Sequence, residues 1–197
     1  ASIENNGRFK ISNVIHGYRS LNHIQNDLVR GLNSSGNCNI DVNCPLGIGW
    51  DNEIRSVAMI VVGGNGICSG ALVNNTCNDG TPYFLTANHC LGGSTGSWAF
   101  RFNWQSPPGT ESCATTIGSV DPGPPYDQTA NGATTLVSAA ASDFALLEIT
   151  NMTLSIAQNW NCFFAGWDAS DLTTVTQATG IHLSLIHISE PTRLELI

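Results

Sequence analysis

Short apolar segments separated by Gly, Asn and Pro constrain the fold of this chain more than any other feature. Runs of this length, bounded by turn-forming residues, predict antiparallel strands of a barrel or sandwich. A Pro- and Gly-rich stretch at 107–132 predicts a long surface loop or a pair of turns. We therefore expect an all-β fold with strands within residues 56–63, 68–74, 83–86, 98–104, 134–139 and 144–149.

Residues 20–32 contain the only convincing helical pattern. Apolar side chains recur there at helical spacing, at Leu21, Ile24, Leu28 and Leu32. A small polar linker follows at 33–36, and every cysteine of the chain lies after it. The sequence therefore predicts a domain boundary near residue 35.

The composition excludes several classes of function. Seven basic and 15 acidic residues give 197 residues a net charge of −8, and only 11% are charged, against about 25% in an average soluble domain. Such a polar surface, built from Gly, Ser, Thr and Asn, is typical of exported β proteins. The sequence has no basic cluster, which argues against a nucleic-acid partner. It also has no apolar run near the ~20 residues that span a membrane.

Seven cysteines in a chain so poor in charge suggest an oxidising compartment, where cysteines pair. Because seven is odd, one cysteine has no partner within the chain. Its thiol is either free or bound to a cysteine outside these residues.

The segment that carries chemistry joins Cys68-Ser69-Gly70-Ala71-Leu72 to Leu85-Thr86-Ala87-Asn88-His89-Cys90. A disulfide between Cys68 and Cys90 would hold the turn that presents His89. An imidazole titrates near neutrality, so a positioned one can accept a proton and return it. His89 is therefore a candidate general base.

Asp143 begins the otherwise apolar run Asp143-Phe144-Ala145-Leu146-Leu147. An unpaired charge there would be costly, so the carboxylate needs a partner. A histidine Nδ1–H suits it and fixes the tautomer that leaves Nε2 free to activate a nucleophile. Two other interpretations remain open: Asp143 could cap a strand end, and His89 with Cys90 could bind zinc together with Cys68 or Cys77. The tight Cys-x2-4-Cys spacing of structural zinc sites is absent.

These motifs, in the order His then Asp, resemble the trypsin-like serine peptidases. The segments 38–45, 72–76 and 165–168 resemble more narrowly the secreted bacterial lysyl endopeptidase group, and the likeness covers about residues 36–182. It implies the antiparallel Greek-key barrel of a double-barrel fold, with the first barrel nearly complete and the second truncated. It also implies that His89 is the general base and Asp143 its orienting carboxylate, with no cofactor and no metal.

The family's nucleophilic serine lies in a Gly-Asp-Ser-Gly or Gly-Ser-Ser-Gly turn, and the sequence contains neither. Residues 183–197 resemble a translated sequencing adapter. We therefore expect three parts: 1–35, the end of a pro-segment or a linker with a short helix; 36–182, an incomplete peptidase domain; and 183–197, an artificial tail. Without the nucleophile and its oxyanion hole we expect the chain to be inactive.

The resemblance also implies a cysteine pattern. It pairs Cys68 with Cys90 and Cys44 with Cys113, and gives Cys38 a partner beyond this sequence, so that Cys38 is unpaired here. Cys77 and Cys162 then remain, and we expect them to pair with each other, although sequence alone does not fix connectivity.

By this likeness the complete protein is a secreted, extracellular bacterial endopeptidase made as a zymogen. It would be a monomer that hydrolyses protein or peptide substrates through an acyl-enzyme, with specificity for Lys resting on the likeness alone. The alternative is a non-catalytic, disulfide-stapled β domain, or a pseudopeptidase, that binds peptides or surface ligands.

Overall fold

One antiparallel sheet of seven strands forms the molecule in the computed structural model, which describes residues 41–62, 66–105, 127–168 and 179–182. The all-β prediction is confirmed. Two six-residue helices accompany the sheet, α1 (Asp51–Ser56) before the first strand and α2 (Leu154–Asn159) after the last. The strands are β1 (Val57–Val62), β2 (Gly66–Val73), β3 (Tyr83–Thr86), β4 (Ala99–Phe102), β5 (Thr129–Asn131), β6 (Ala133–Ala139) and β7 (Phe144–Ile149).

Each of the six predicted runs overlaps one strand, and the ends of the strand differ from the predicted ends by a few residues at most. The loop predicted at 107–132 is wrong at its end, where β5 pairs with β4 from Arg101↔Thr129 to Ala99↔Asn131. Three residues are too few for an alternating pattern, so this strand depends on a long-range pairing. Both α-helices were also missed. The predicted helix at 20–32 and residues 107–126 lie outside the described residues.

The strand order is β5-β4-β1-β2-β3-β7-β6. Strands β1, β2 and β3 follow one another as a meander, and β4 returns to lie beside β1. This spatial order, with the fourth strand next to the first, defines a Greek key. The structure thus has the Greek-key arrangement that the sequence likeness implied.

Gly132 joins the two edges of this sheet. β5 and β6 lie at opposite ends of the strand order, yet Gly132 alone separates them in sequence. Two residues span at most about 7 Å of chain, so the sheet must curl until its edges meet here. Gly132 has a φ of 77°. Its N–H donates to the Trp98 carbonyl at 2.8 Å, and its own carbonyl accepts from the Thr150 N–H at 3.0 Å.

Replacing Gly132 by Ala should destabilise the fold for two reasons. Left-handed backbone costs a residue with a Cβ about 1–2 kcal/mol, and the new Cβ would lie 2.9 Å from Thr150 Oγ1 and 3.2 Å from the Gly96 carbonyl. Crowding of this kind adds about 1–3 kcal/mol. Gly93→Ala is the matched control, because Gly93 has a φ of 73° and open space at its Cβ position. Urea unfolding should show the larger loss for Gly132→Ala, and equal losses would contradict this explanation.

An aromatic cluster forms the core inside the curled sheet. The Phe84 ring packs edge-on against Phe100 and Phe102, with centroids 5.0 Å and 6.4 Å away. Strand β7 alternates between this interior and the outside, as a strand with one buried face must. The largest fully buried side chains are Trp98, Phe84, Phe100, Met59, Ile60, Leu72, Leu147 and Ile149.

Within the described ranges, no helix combines the length and the apolar character that crossing a membrane requires.

Candidate active site

His89 and Asp143, which are 54 residues apart in the chain, meet at one edge of the sheet. Strands β3 and β7 are antiparallel neighbours with Thr86 opposite Ala145, so the end of β3 lies beside the start of β7. The Asn88 N–H donates to the Asp143 carbonyl at 3.2 Å, which extends this pairing past the last ladder residues. His89 follows in a one-turn 3-10 helix, Asn88–Cys90.

One carboxylate holds both the backbone and the ring of His89. Asp143 Oδ1 accepts the His89 backbone N–H at 2.9 Å, and Oδ2 accepts the ring Nδ1–H at 2.7 Å. Asp143 has left-handed backbone (φ 49°, ψ 40°) at the end of the 3-10 helix Ala140–Ser142. Aspartate tolerates this conformation better than most residues because its short polar side chain bonds locally. The two contacts together fix the orientation of the imidazole.

These hydrogen bonds also favour the ionised form of Asp143. The hydrogen bond from the His89 ring, followed by the bond from the His89 backbone N–H, lowers the pKa of this carboxyl below its ordinary value of 3.8. The pair therefore stabilises the fold at neutral pH, and this contribution is lost only as the pH falls through the lowered pKa.

An ionised carboxylate can only accept hydrogen bonds. The proton between His89 and Asp143 therefore belongs to His89 Nδ1, and the neutral ring carries its lone pair on Nε2. The side chains of His89 and Asp143 are 49% and 51% exposed, and no described residue hydrogen-bonds to Nε2. This nitrogen is open to a reacting group.

A disulfide holds the short helix that carries His89. Cys90 bonds to Cys68 of β2, with their Cα atoms 6.3 Å apart. Cys90 is buried in the core, so the residue next to the exposed His89 is anchored in the interior. The structure thus contains the bridge that we expected to clamp this turn.

The structure contradicts the predicted bond between Cys77 and Cys162, because both are free thiols. Cys77 is exposed in the turn after β2, whereas Cys162 packs against the core after α2. Burial raises the pKa of the Cys162 thiol to about 12. Elimination, on which the prediction rests, carries no information on the distance between the two sulfurs. Cys44 is disulfide-bonded, while Cys38 and Cys113 lie outside the described residues.

The disulfide also bears on the zinc interpretation. Ligand atoms of Cys68, His89 and Cys90 lie within 4.8 Å of one another. Zinc binds the thiolate form of cysteine, whereas the sulfur atoms of Cys68 and Cys90 are bonded to each other. Only His89 could contribute a ligand, so these residues do not fit a zinc centre. Asp143 is not a plain strand cap either, since both of its oxygens bond to His89.

The sequence alone does not predict two hydrogen bonds of this site. One is the bond from the His89 backbone N–H to Asp143, and the other is a bond from the Thr86 hydroxyl to the Ser69 carbonyl at 2.8 Å. The threonine is visible in the motif, but the carbonyl that it reaches depends on the register of β2 and β3.

Comparison with known proteins finds a protein family and a curated relative to which this chain is similar. The family described as "Lysyl endopeptidase, C-terminal domain" matches residues 32–184, a range that contains His89 and Asp143. A lysyl endopeptidase of Pseudomonas aeruginosa is 26% identical over 160 residues, which cover 77% of this chain and 33% of the relative. The chain therefore spans about a third of the length of this curated relative. Since the family match extends over most of its residues, the chain belongs to the lysyl endopeptidase C-terminal domain family of peptidases.

Proposed function

We propose that this chain supplies the general base and its orienting carboxylate to a secreted serine endopeptidase. The observation that carries the proposal is the carboxylate of Asp143, which binds both the ring Nδ1 and the backbone nitrogen of His89. A structural ion pair would need neither the open Nε2 nor the second bond of Asp143, to the His89 backbone. Family membership supports the same assignment.

The proton moves through His89 in both halves of the reaction. Nε2 takes the proton of a serine hydroxyl as the oxygen attacks the peptide carbonyl, and then gives that proton to the leaving amine, which forms the acyl-enzyme. A water molecule replaces the amine, and Nε2 repeats both transfers during hydrolysis. Asp143 stays ionised throughout and stabilises the imidazolium that forms twice in each cycle.

We assign the nucleophile and the oxyanion hole to a region outside these 197 residues. Neither Gly-Asp-Ser-Gly nor Gly-Ser-Ser-Gly occurs in the sequence, and the curated relative is about three times as long as the matched region. The 197-residue chain by itself should therefore be inactive. In this proposal residues 36–182 belong to the peptidase domain, and residues 1–35 and 183–197 do not.

The substrate proposed is a protein or peptide cleaved after Lys, which follows from the name of the Pseudomonas relative. Recognition of Lys requires an acidic group at the base of the specificity pocket, and we assign no residue of this chain to it. The low content of charged residues and the disulfides support secretion. No step of the mechanism requires a cofactor.

A fluorophosphonate probe tests the division of roles. It reacts with an activated serine, so the purified 197-residue chain should remain unlabelled, as judged by intact mass. The Pseudomonas relative serves as the positive control. Stoichiometric labelling of a serine in this chain would contradict the assignment of the nucleophile to another region.

A further inference from the structure

The ring of His89 is half exposed, so little side-chain packing orients it. Apart from Asp143, its position depends on the backbone on either side of it. On the C-terminal side, Cys90 is bonded to Cys68 of β2. What fixes the N-terminal side is therefore decisive for the geometry of the pair.

On the N-terminal side, the Asn88 N–H donates to the Asp143 carbonyl at 3.2 Å and attaches the chain to the residue before β7, but main-chain pairing with β2 stops earlier. The pairing of β2 with β3 ends at Gly70↔Thr86, and the chain then turns into the 3-10 helix Asn88–Cys90. At this point the Thr86 hydroxyl donates to the Ser69 carbonyl at 2.8 Å. This side-chain bond extends the attachment of β3 to β2 by one residue beyond the ladder.

The surroundings of the bond from Thr86 to Ser69 restrict its movement. Thr86 is 6% exposed, so water competes little for its hydroxyl, and a β-branched side chain has few χ1 rotamers. It reaches Ser69, the neighbour of Cys68, which forms the disulfide on the other flank of His89. Both flanks of the histidine are thus attached to consecutive residues of the same strand.

We propose that Thr86 is a positioning residue for the His89–Asp143 pair. Its hydroxyl fixes where the 3-10 helix begins, and thereby the angle at which the His89 ring meets the carboxylate. The catalytic importance of Thr86 rests on the proposed role of His89 as a general base. Its effect on the geometry of the pair does not, because that geometry can be measured without a nucleophile.

The test compares three variants of the 197-residue chain. Thr86→Val keeps the shape and removes the hydroxyl, while Thr86→Ser keeps the hydroxyl and removes the methyl group. Thr95→Val is the matched control, since the Thr95 hydroxyl donates to the Ala133 carbonyl at 2.9 Å, away from His89. The readout is the NMR signal of the His89 Nδ1 proton and its exchange with water, assigned by its loss in His89→Gln.

Thr86→Val should remove this signal or speed its exchange about tenfold, the change that a hydrogen bond of ordinary strength supports. Thr86→Ser should keep the wild-type signal, and Thr95→Val should keep it despite a similar loss of stability. The proposal is overturned if Thr86→Val leaves the signal unchanged or if both valine variants alter it equally.

If Thr86→Val does not fold, the serine variant decides, because loss of the signal in Thr86→Ser shows that the hydroxyl does not position the pair. Since none of these readouts involves catalysis, failure here is distinct from failure of the peptidase assignment.

Discussion

Asp143→Asn should lower kcat about 10⁴-fold in a catalytically competent form of this domain, with little change in KM. An amide can donate a hydrogen bond to Nδ1, which favours the tautomer whose proton lies on Nε2, and that nitrogen then cannot accept the serine proton. The substituted side chain also loses the charge that stabilises the imidazolium. The test uses a fusion of residues 36–182 to the remaining part of the peptidase domain of the Pseudomonas relative, taken forward once the unsubstituted fusion cleaves a Lys amide substrate. Kinetics with that substrate give both constants.

Glu148→Gln is the control for this substitution. Glu148 is an acidic residue of β7 that lies opposite Tyr83, at the end of the pairing away from Asp143. Its loss should leave kcat within about twofold, because a screened surface charge contributes little. Equal effects of the two substitutions, or an Asp143→Asn protein with nearly full activity, would show that Asp143 does not orient the base.

Removal of the Cys68–Cys90 disulfide is expected to have a large effect on stability. The bond closes a loop of 22 residues, and native bridges of this kind contribute about 2–4 kcal/mol. Replacing both Cys68 and Cys90 by Ala should lower the free energy of unfolding by about 3 kcal/mol in urea. Cys77→Ala is the control, because Cys77 is an exposed free thiol whose loss should change stability by less than about 0.5 kcal/mol. A double variant as stable as this control would contradict the prediction.

The sequence predicted the strands well because each of the six longer ones is a local apolar run. The elements that it missed depend on the rest of the molecule. Strand β5 has three residues and exists because β4 pairs with it, and α1 and α2 have only six residues each. Isolated helices of that length are unstable in water, so their sequences carry a weak signal.

The site was predictable to a similar degree. His89 and Asp143 could be named because each lies in a distinctive local motif. The second bond of Asp143, to the His89 backbone, is made by a residue in left-handed conformation, and no local pattern indicates either feature. The bond between Thr86 and Ser69 requires the register of β2 with β3. The cysteine prediction failed for the same reason, since the separation of Cys77 and Cys162 is set by the fold.

The two free thiols among the described cysteines differ in chemical reactivity. The thiolate is the form of cysteine that reacts with alkylating reagents. Burial of Cys162 limits the access of a reagent and also raises the pKa of its thiol to about 12, which keeps it uncharged. Cys77 has no such protection, because it lies exposed on a turn. Among the described cysteines, Cys77 is therefore the position at which a dye or a cross-linker attaches to the native protein, whereas modification of Cys162 marks molecules that have opened.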